Sequence, residues 1–457
     1  MAKTKVIVVG ASHGGHQSIK ELSDRYNNLD ITLLESGDYV SFMSCGMQLY
    51  LEGKTTGAND VRNFRPSDFP QENIHILNNH EAQKINADQK TVSVKDTKTG
   101  QVDDYPYDKL ILSSGVNPNS LPIPGADLKN VFLMRGYEWA QKIKGQLENP
   151  KVKNVTIVGA GYIGIEAAEV AQLAGKNVTI MDVVDEPLKN YLDPELIKVV
   201  KQELKKKEVK IVTGANIQAY QGSDTVTGVK TKKQTYPADL VIQATGVKPN
   251  TNWLKGTVDL DNRGWIKTND YLQTNLPDVY AIGDATLAYS VPAGKKIPIA
   301  LATVVRREAR YVVANLFGKK PLYPFKGVAG SSALSAFDYH FSIAGLNSAA
   351  AKNQGISAQS SYYAGNLRPA YIPKKDNPQV YTKLVYAPLT HQLLGGEVLS
   401  KYDISAYGNT LSLAIQNKLT VEDLAQADFF FQPGFDRQWN ILNLSAQHDL
   451  GESKFQN

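Results

Sequence analysis

The chain has 457 residues, of which 42% are apolar and 21% are charged. This length predicts two or three domains rather than one compact core, and the composition excludes a disordered or fibrous protein. The net charge of +5 is small for the length and argues against a nucleic-acid interface. No apolar run approaches the roughly 18 residues of a membrane span, and the start lacks a signal-peptide pattern. We therefore expect a cytoplasmic protein without nucleic-acid or membrane partners.

The first pattern along the chain is strand, glycine-rich turn, helix and strand, from KVIVVGASHGGHQSIKEL to DITLLES. Its turn reads Gly10-Ala11-Ser12-His13-Gly14-Gly15, with Ser12 where the second glycine of a dinucleotide-binding turn usually stands. Glu35 ends the following strand, 20 residues after Gly15, where a carboxylate can bond a ribose. The unit therefore predicts a nucleotide site, with FAD as the expected ligand.

The next segment, SFMSCGMQLYLEG at 41–53, holds Cys45, the only cysteine in the sequence. A single cysteine excludes an intramolecular disulfide. Cys45 precedes an apolar, helix-like run, and a thiolate at a helix start is stabilised by backbone N–H groups and the helix dipole. Such a thiolate can attack peroxide to form a sulfenic acid, which a reduced flavin can return to thiolate. Cys45 is thus a candidate redox centre, and a buried structural cysteine is the alternative.

The strand–turn–helix–strand pattern returns in NVTIVGAGYIGIEAAEVAQLAGKNVTIMD, where Gly159, Gly161 and Gly164 form a complete G-x-G-x-x-G turn. Asp182 ends the next strand, and no Arg or Lys follows it immediately to hold a 2′-phosphate. This second unit predicts an NADH site with preference over NADPH. Two apolar strands that end in small residues, YDKLILSSG (107–115) and ADLVIQATG (238–246), mark places where the chain can cross between nucleotide domains.

Two later segments complete the organisation. TNLPDVYAIGDAT (274–286) is a strand closed by Gly283 and Asp284, which could place a carboxylate against a flavin's ribityl chain. From about residue 328 the pattern is β-strands followed by a helix, without a phosphate loop, and Phe429–Phe431 form either core or a subunit interface. The predicted fold is α/β, with two Rossmann-like domains for FAD and NAD and a C-terminal α+β dimerisation domain. The predicted boundaries are 1–118 and 247–327 for the FAD domain, 119–246 for the NAD domain and 328–457 for the third domain.

Together these motifs resemble the flavoprotein pyridine nucleotide–disulfide oxidoreductases over essentially the whole chain. Most members have a Cys-x-x-x-x-Cys pair, whereas Tyr50 stands five residues after Cys45 here. The sequence is therefore similar to the single-cysteine branch, which contains NADH peroxidases, water-forming NADH oxidases and coenzyme A-disulfide reductases.

Within that branch the resemblance favours NADH peroxidase, which reduces hydrogen peroxide to water. His13 in SHGG, the segments SCGMQLYLEG and ADFFFQP, and Arg306 in IALATVVRRE resemble the peroxidase. NLRPAYIP and GNTLSLAIQN resemble water-forming NADH oxidase, which is the alternative, and a coenzyme A-disulfide or persulfide reductase is a third. A function of another class is an FAD- and NADH-dependent electron donor to a protein partner, with Cys45 as a redox sensor.

The resemblance also implies roles for individual residues. Cys45 would be the redox centre, His13 would protonate the departing hydroxide or orient peroxide, and the charge of Arg306 would favour the thiolate. Tyr162 would cover the flavin face when NADH is absent. The remaining binding residues that it implies are Gly10, Ala11, Ser12, Gly14, Glu35, Ser113, Ser114, Gly115, Val116, Arg135, Asp284 and Ala302 for FAD, and Gly159, Gly161, Ile163, Gly164, Asp182, Tyr191, Gly246 and Ala300 for NADH. No metal site is expected, and the assembly would be a homodimer or a dimer of dimers.

Overall fold

The computed structural model describes residues 3–318 and 323–451, so residues 1–2, 319–322 and 452–457 of the predicted domains lie outside the described residues. The strands within the described part, in chain order, are β1 (Thr4–Val9), β2 (Leu29–Leu34), β3 (Ile74–Leu77), β4 (His80–Asn86), β5 (Thr91–Asp96), β6 (Val102–Pro106), β7 (Lys109–Leu112), β8 (Val116–Pro118), β9 (Val131–Leu133), β10 (Asn154–Val158), β11 (Asn177–Met181), β12 (Lys210–Val212), β13 (Ile217–Gln221), β14 (Gly228–Thr231), β15 (Thr235–Pro237), β16 (Leu240–Gln243), β17 (Val247–Pro249), β18 (Val279–Ala281), β19 (Ala288–Ser290), β20 (Lys295–Ile297), β21 (Ser331–Ala336), β22 (Tyr339–Gly345), β23 (Gln359–Asn366), β24 (Gln379–Tyr386) and β25 (Leu393–Ser400). The helices are α1 (His13–Arg25), α2 (Met47–Leu51), α3 (Tyr137–Glu148), α4 (Tyr162–Leu173), α5 (Pro194–Lys206), α6 (Ala302–Asn315), α7 (Ser348–Asn353), α8 (Tyr407–Gln416), α9 (Val421–Ala425) and α10 (Ile441–Asp449).

Two parallel five-stranded sheets have the same plan. The first has the order β18-β7-β1-β2-β3 and the second the order β12-β11-β10-β16-β9. In both, the first strand of the βαβ unit lies at the centre, and its apolar residues are buried on both faces. The carboxyl end of each central strand leads into a glycine turn, which is where open α/β sheets bind ligands. The two predicted Rossmann-like domains are confirmed.

The chain crosses between these two sheets where the sequence predicted. Strand β8 follows the first crossing segment and β17 follows the second, and the two pair in antiparallel fashion from Val116 with Pro249 to Pro118 with Val247. Two antiparallel three-stranded sheets, β4-β5-β6 and β13-β14-β15, are inserted in the two domains. The crossing therefore joins the two nucleotide domains by a short two-stranded ribbon.

The C-terminal region is an antiparallel sheet with helices against it, as predicted. Its order is β21-β22-β25-β24-β23, and α8 and α10 contact it. Leu334, Phe341 and Leu399 of this sheet share one buried apolar cluster with α4 and α5 of the NAD domain. The sheet therefore packs directly on the helix that begins in the second glycine turn.

The structure tests whether the aromatic residues after α9 belong to the core or are available for a subunit interface. Phe429 packs against the C-terminal core, but Phe430 is 71% exposed and Phe431 is 44% exposed. The core interpretation is therefore wrong for Phe430 and Phe431, because the chain after α9 turns their side chains away from the sheet. Phe435 and Trp439 are exposed beside them in sequence.

The predicted boundaries after residues 118, 246 and 327 stay predictions. Within residues 3–318 and 323–451, no helix has the length and apolar character needed to cross a membrane.

Candidate active site

The first glycine turn follows β1 directly and forces two close backbone approaches. Gly10 has φ +98°, and a Cβ there would lie 2.2 Å from the carbonyl oxygen of Ser113. A Cβ on Gly15 would lie 2.0 Å from the carbonyl oxygen of Gly10. Only glycine tolerates both approaches, so the sequence pattern sets how closely β1, β7 and the start of α1 come together.

An open cavity of about 490 Å³ lies beside this turn and includes Gly10, Glu35 and Ser114 in its lining. We call it the Glu35 cavity. Glu35 Oε2 accepts a hydrogen bond of 3.1 Å from the Ala11 N–H, which places the carboxylate at the turn as predicted. The buried Ser114 Oγ has no hydrogen-bond partner among the described residues, so it is free to bond a ligand. These features fit the nucleotide end of FAD.

Cys45 and His13 come together at the other end of the same turn. Cys45 lies in the 3₁₀ turn Ser44–Gly46, immediately before α2, and His13 is the first residue of α1. Their Sγ and Nε2 atoms are 3.5 Å apart. The two residues are 32 positions apart in the chain, so the fold itself creates this pair.

The Cys45–His13 pair faces a cavity of about 290 Å³, which we call the cysteine cavity. The predicted site residues that line it are Ser12, His13, Gly14, Cys45, Ser113, Gly115, Arg135, Tyr162, Ile163, Asp284, Ala300 and Ala302. Arg135 Nη2 and Asp284 Oδ2 are 3.5 Å apart, and burial raises the pKa of Asp284 while Arg135 opposes the rise. The cavity thus combines a thiol, an imidazole, a guanidinium and a carboxyl group, and its position beside the turn fits the reactive end of a flavin.

The thiol of Cys45 differs from the expectation in its proton affinity. Its side chain is exposed to the cysteine cavity, but protein atoms enclose its other sides, and this burial raises the pKa of the thiol. The backbone N–H groups of Cys45 and Gly46 and the charge of Arg306 lower it, while Glu166 raises it. The expected stabilisation of the thiolate is therefore present, but in the chain alone burial outweighs it.

His13 is neutral at physiological pH. Burial, with the charges of Arg306 and Arg135, lowers the pKa of His13 to about 4. The same causes, burial first and Arg306 next, lower the pKa of His16, one turn along α1, to about 4. A histidine with this pKa orients a substrate by hydrogen bonds, but it holds no extra proton at pH 7.

Arg306 does not line the cysteine cavity. It lies on α6, where its guanidinium donates hydrogen bonds of 3.1 Å to Gln17 Oε1 and 2.5 Å to Asn63 Oδ1. Both acceptors are neutral amides, so the charge of Arg306 is not cancelled by a carboxylate there. Its effect on Cys45 and His13 is electrostatic and acts without direct contact.

The second glycine turn repeats the geometry of the first. Gly159 has φ +108°, and a Cβ on Gly164 would lie 1.9 Å from the carbonyl oxygen of Gly159. Asp182 Oδ2 accepts a 2.6 Å hydrogen bond from the Ala160 N–H. Gly159, Gly161, Asp182, Tyr191 and Gly246 line a cavity of about 530 Å³, the Asp182 cavity, whose turn and carboxylate fit NADH.

Tyr162 stands between the cysteine cavity and the Asp182 cavity. Its ring stacks on Tyr191 with centroids 3.9 Å apart, and its hydroxyl is 2.9 Å from Ser332 Oγ of β21. Tyr162 lines the cysteine cavity, whereas Tyr191 lines the Asp182 cavity. The aromatic pair therefore separates the two cavities.

Four predicted site residues line none of these three cavities: Ala11, Val116, Gly164 and Arg306. Sequence reasoning missed Ser44, Met134, Glu166 and Val305 of the cysteine cavity, and Asn250 and Trp253 of the Glu35 cavity. Glu166 had a signal that could have found it, because it is one of only two carboxylates, with Glu169, in the otherwise apolar run IGIEAAEVA.

Comparison with known proteins agrees with this arrangement. The family model described as pyridine nucleotide-disulphide oxidoreductase matches residues 4–309, and the model of that family's dimerisation domain matches residues 332–441. An NADH oxidase of Enterococcus faecalis is 39% identical over 98% of this chain and 99% of its own length. The structure of a water-forming NADH oxidase from Lactobacillus brevis bound to NADH is 36% identical, covers 99% of each chain and superposes with a TM-score of 0.93.

A more distant relative is named for a different activity. An NAD(P)H coenzyme A polysulfide/persulfide reductase of Pyrococcus horikoshii is 29% identical over 97% of this chain and 98% of its own length. The predicted enzyme class and the cofactors FAD and NADH are confirmed by the family match and the NADH oxidase relatives. The prediction of a peroxidase as the main activity is not confirmed, and the oxidase alternative fits these relatives better. The chain therefore belongs to the pyridine nucleotide-disulphide oxidoreductase family, within which it carries a single cysteine.

Proposed function

We propose that this protein is a water-forming NADH oxidase, which reduces O₂ to water with electrons from NADH. The observation that carries the proposal is the 3.5 Å contact of Cys45 Sγ with His13 Nε2 at the cysteine cavity. The names of its NADH oxidase relatives support it. The first glycine turn, Glu35 and the cysteine cavity would hold FAD. Bound FAD would supply two-electron transfer from NADH.

The cysteine accounts for the final product. A flavin alone reduces O₂ to hydrogen peroxide, and a second two-electron step is needed to reach water. The Cys45 thiolate would attack peroxide, form a sulfenic acid and release hydroxide, and NADH-derived electrons would return the sulfenic acid to thiolate with release of water. Neutral His13 is placed to orient the peroxide by hydrogen bonding, and burial, with the charges of Arg306 and Arg135, keeps it neutral.

NADH peroxidase is the second candidate function, because the same Cys45–His13 pair would carry out the peroxide step alone. The uncancelled charge of Arg306, which acts on both His13 and Cys45, favours thiolate chemistry in either case. The two candidates differ only in whether O₂ is accepted at the start.

For the assembly we propose a homodimer formed through residues 328–457. The exposed Phe430, Phe431, Phe435 and Trp439 supply an apolar surface of the kind that subunit interfaces cover. The match of the dimerisation-domain model to residues 332–441 supports this.

The function is tested by simultaneous measurement of NADH and O₂ consumption with a peroxide assay. A water-forming oxidase consumes about two NADH per O₂ and accumulates no peroxide, and added catalase returns no O₂. One NADH per O₂ with equal peroxide would overturn the proposal. NADH oxidation that requires added peroxide under anaerobic conditions, with no O₂ uptake in air, would establish the peroxidase instead.

A further inference from the structure

The proposed reaction needs protons that NADH does not supply. Reduction of O₂ by two NADH gives two water molecules and two NAD⁺ only if two further protons are taken up. One converts O₂ and the first hydride equivalent to hydrogen peroxide. The other neutralises the hydroxide that leaves when the Cys45 thiolate takes an oxygen from peroxide. His13 is not their store, because burial and Arg306 hold its pKa near 4.

Glu166 on α4 lies between the cysteine cavity and a second cavity. The second cavity has a volume of about 230 Å³ and is lined by Gln48, Glu166 and residues of the C-terminal region that include His340 and Asp403. We call it the Gln48 cavity. Among the described residues, Glu166 is the one that lines both cavities. A carboxyl group in this position has access to the Cys45 side and to the other side of α4.

The carboxyl group of Glu166 is free to exchange a proton. No hydrogen bond or ion pair engages it within the described part of the chain. Glu169, one turn further along α4, accepts a 3.2 Å hydrogen bond from the Phe337 N–H and lines neither cavity. Proton transfer requires a carboxyl group without a fixed partner, and Glu166 meets this requirement whereas Glu169 does not.

The surroundings place the titration of Glu166 near neutrality. Burial first, and then the negative charges of Glu169 and Glu52, raise the pKa of Glu166 to about 7. The other titratable or charged groups that line the two cavities are His13, Cys45, Arg135, Tyr162 and Asp284 on one side, and His340 and Asp403 on the other. A group with this pKa is both protonated and deprotonated during turnover at neutral pH, as an acid catalyst should be.

We propose that Glu166 carries protons from the Gln48 cavity to the cysteine cavity and delivers one to the hydroxide that leaves in the peroxide step. In that step the peroxide O–O bond breaks, a Cys45 S–O bond forms, and hydroxide departs with the bonding electron pair. The Glu166 carboxylic acid gives its proton to the hydroxide and forms water. The resulting carboxylate then takes a proton from solvent through the Gln48 cavity. The proposal rests on the proposed function, because it assigns the proton source of the same site.

The pH dependence has a definite sign. Because the acid form is the donor, peroxide turnover should be highest below a pH of about 7 and fall as the pH rises through that value. Glu169→Gln removes one of the two negative neighbours of Glu166. This variant should keep the low-pH rate and move the inflection to lower pH.

The test uses the FAD-loaded enzyme with hydrogen peroxide under anaerobic conditions, so that O₂ reduction does not contribute. Glu166→Gln keeps the size of the side chain but removes its acid. Peroxide turnover at pH 6.5 should fall about 100-fold, in the range that general acids contribute. The inflection near pH 7 should be lost in this variant, and the solvent deuterium isotope effect on kcat should change. FAD content and the rate of FAD reduction by NADH should stay within about twofold of wild type.

Two results would overturn the inference: an unchanged pH profile in Glu166→Gln with normal peroxide turnover, or equal loss of turnover in Glu169→Gln and Glu166→Gln without any shift of the inflection. Glu166→Asp provides a further check, since it keeps the acid and should restore a pH inflection. The proposed function is tested separately, by the ratio of NADH to O₂ consumed by the wild-type enzyme. That measurement does not depend on any of these variants.

Discussion

The two glycine turns have nearly the same backbone but different side chains at the residue where the helix begins. In both, the first glycine has positive φ, the third glycine approaches the carbonyl oxygen of the first, and an acidic side chain from the next strand accepts a hydrogen bond from the turn. The helix then starts with His13 in the first turn and Tyr162 in the second.

The first residue of each helix gives the two sites different roles. His13 meets Cys45, whereas Tyr162 stacks on Tyr191 and contacts Ser332. The repeated fold thus supplies two nucleotide sites, and a single side chain at the start of each helix gives one site a polar partner for a thiol and the other an aromatic partition. Function here is determined by the side chains placed on the repeat, and the repeat itself determines where they stand.

Among the substitutions that test the difference between the two turns, replacement of Cys45 should have the largest effect on peroxide reduction. Cys45→Ser keeps the size of the side chain but removes the nucleophile. Peroxide reduction should therefore fall at least about a thousandfold, as removal of a nucleophile does in other enzymes. O₂ consumption should continue at one NADH per O₂, with peroxide released. Wild-type peroxide turnover in this variant would show that the cysteine is structural.

A matched pair of variants at the two helix starts should give the next largest effect. His13→Gln should lower peroxide turnover about 30-fold without slowing FAD reduction by NADH, because it removes the imidazole that orients peroxide beside Cys45, and a lost hydrogen bond in a buried site costs about 2 kcal/mol. Tyr162→Phe removes only the hydroxyl bonded to Ser332, worth about 1 kcal/mol, so it should change the KM for NADH about fivefold and leave peroxide turnover at saturating NADH intact. Stopped-flow measurement of the two half-reactions separates them. If both variants impaired the same half-reaction, the two turns would not have the separate roles assigned to them here.

The smallest effect concerns the acidic residue that follows each turn. Asp182 lines its cavity, and the next residue, Val183, is 75% exposed and uncharged. NADH should therefore be preferred to NADPH at least about tenfold in kcat/KM, which corresponds to about 1.4 kcal/mol. Asp182→Ala should reduce this preference, whereas Glu186→Gln in the same cavity should not. Equal use of both cofactors by the wild-type enzyme would place the ribose away from Asp182.

The sequence predicted the parts of the site that depend on local pattern. The glycine spacings, the acidic residues at the strand ends and the small-residue strands each follow from backbone sterics within a few residues, so both Rossmann-like sheets and their crossing ribbon could be predicted. The position of Cys45 before a helix was also readable, because α2 begins two residues after it.

The rest depends on packing between distant segments. Glu166 becomes a shared lining residue only because the C-terminal sheet closes over α4, and no local pattern encodes that contact. The proton affinities of Cys45 and His13 are set by burial and by Arg306, which is 261 residues from Cys45 in the chain. The exposure of Phe430 likewise depends on the path of the chain after α9.

An anaerobic reductive titration of the oxidised enzyme tests most directly whether Cys45 is a redox centre in addition to FAD. The wild-type enzyme should take up about four electrons per subunit, two at FAD and two at the Cys45 sulfenic acid, and Cys45→Ser should take up about two. Equal uptake of four electrons by both forms would show that the second redox centre lies elsewhere than at Cys45.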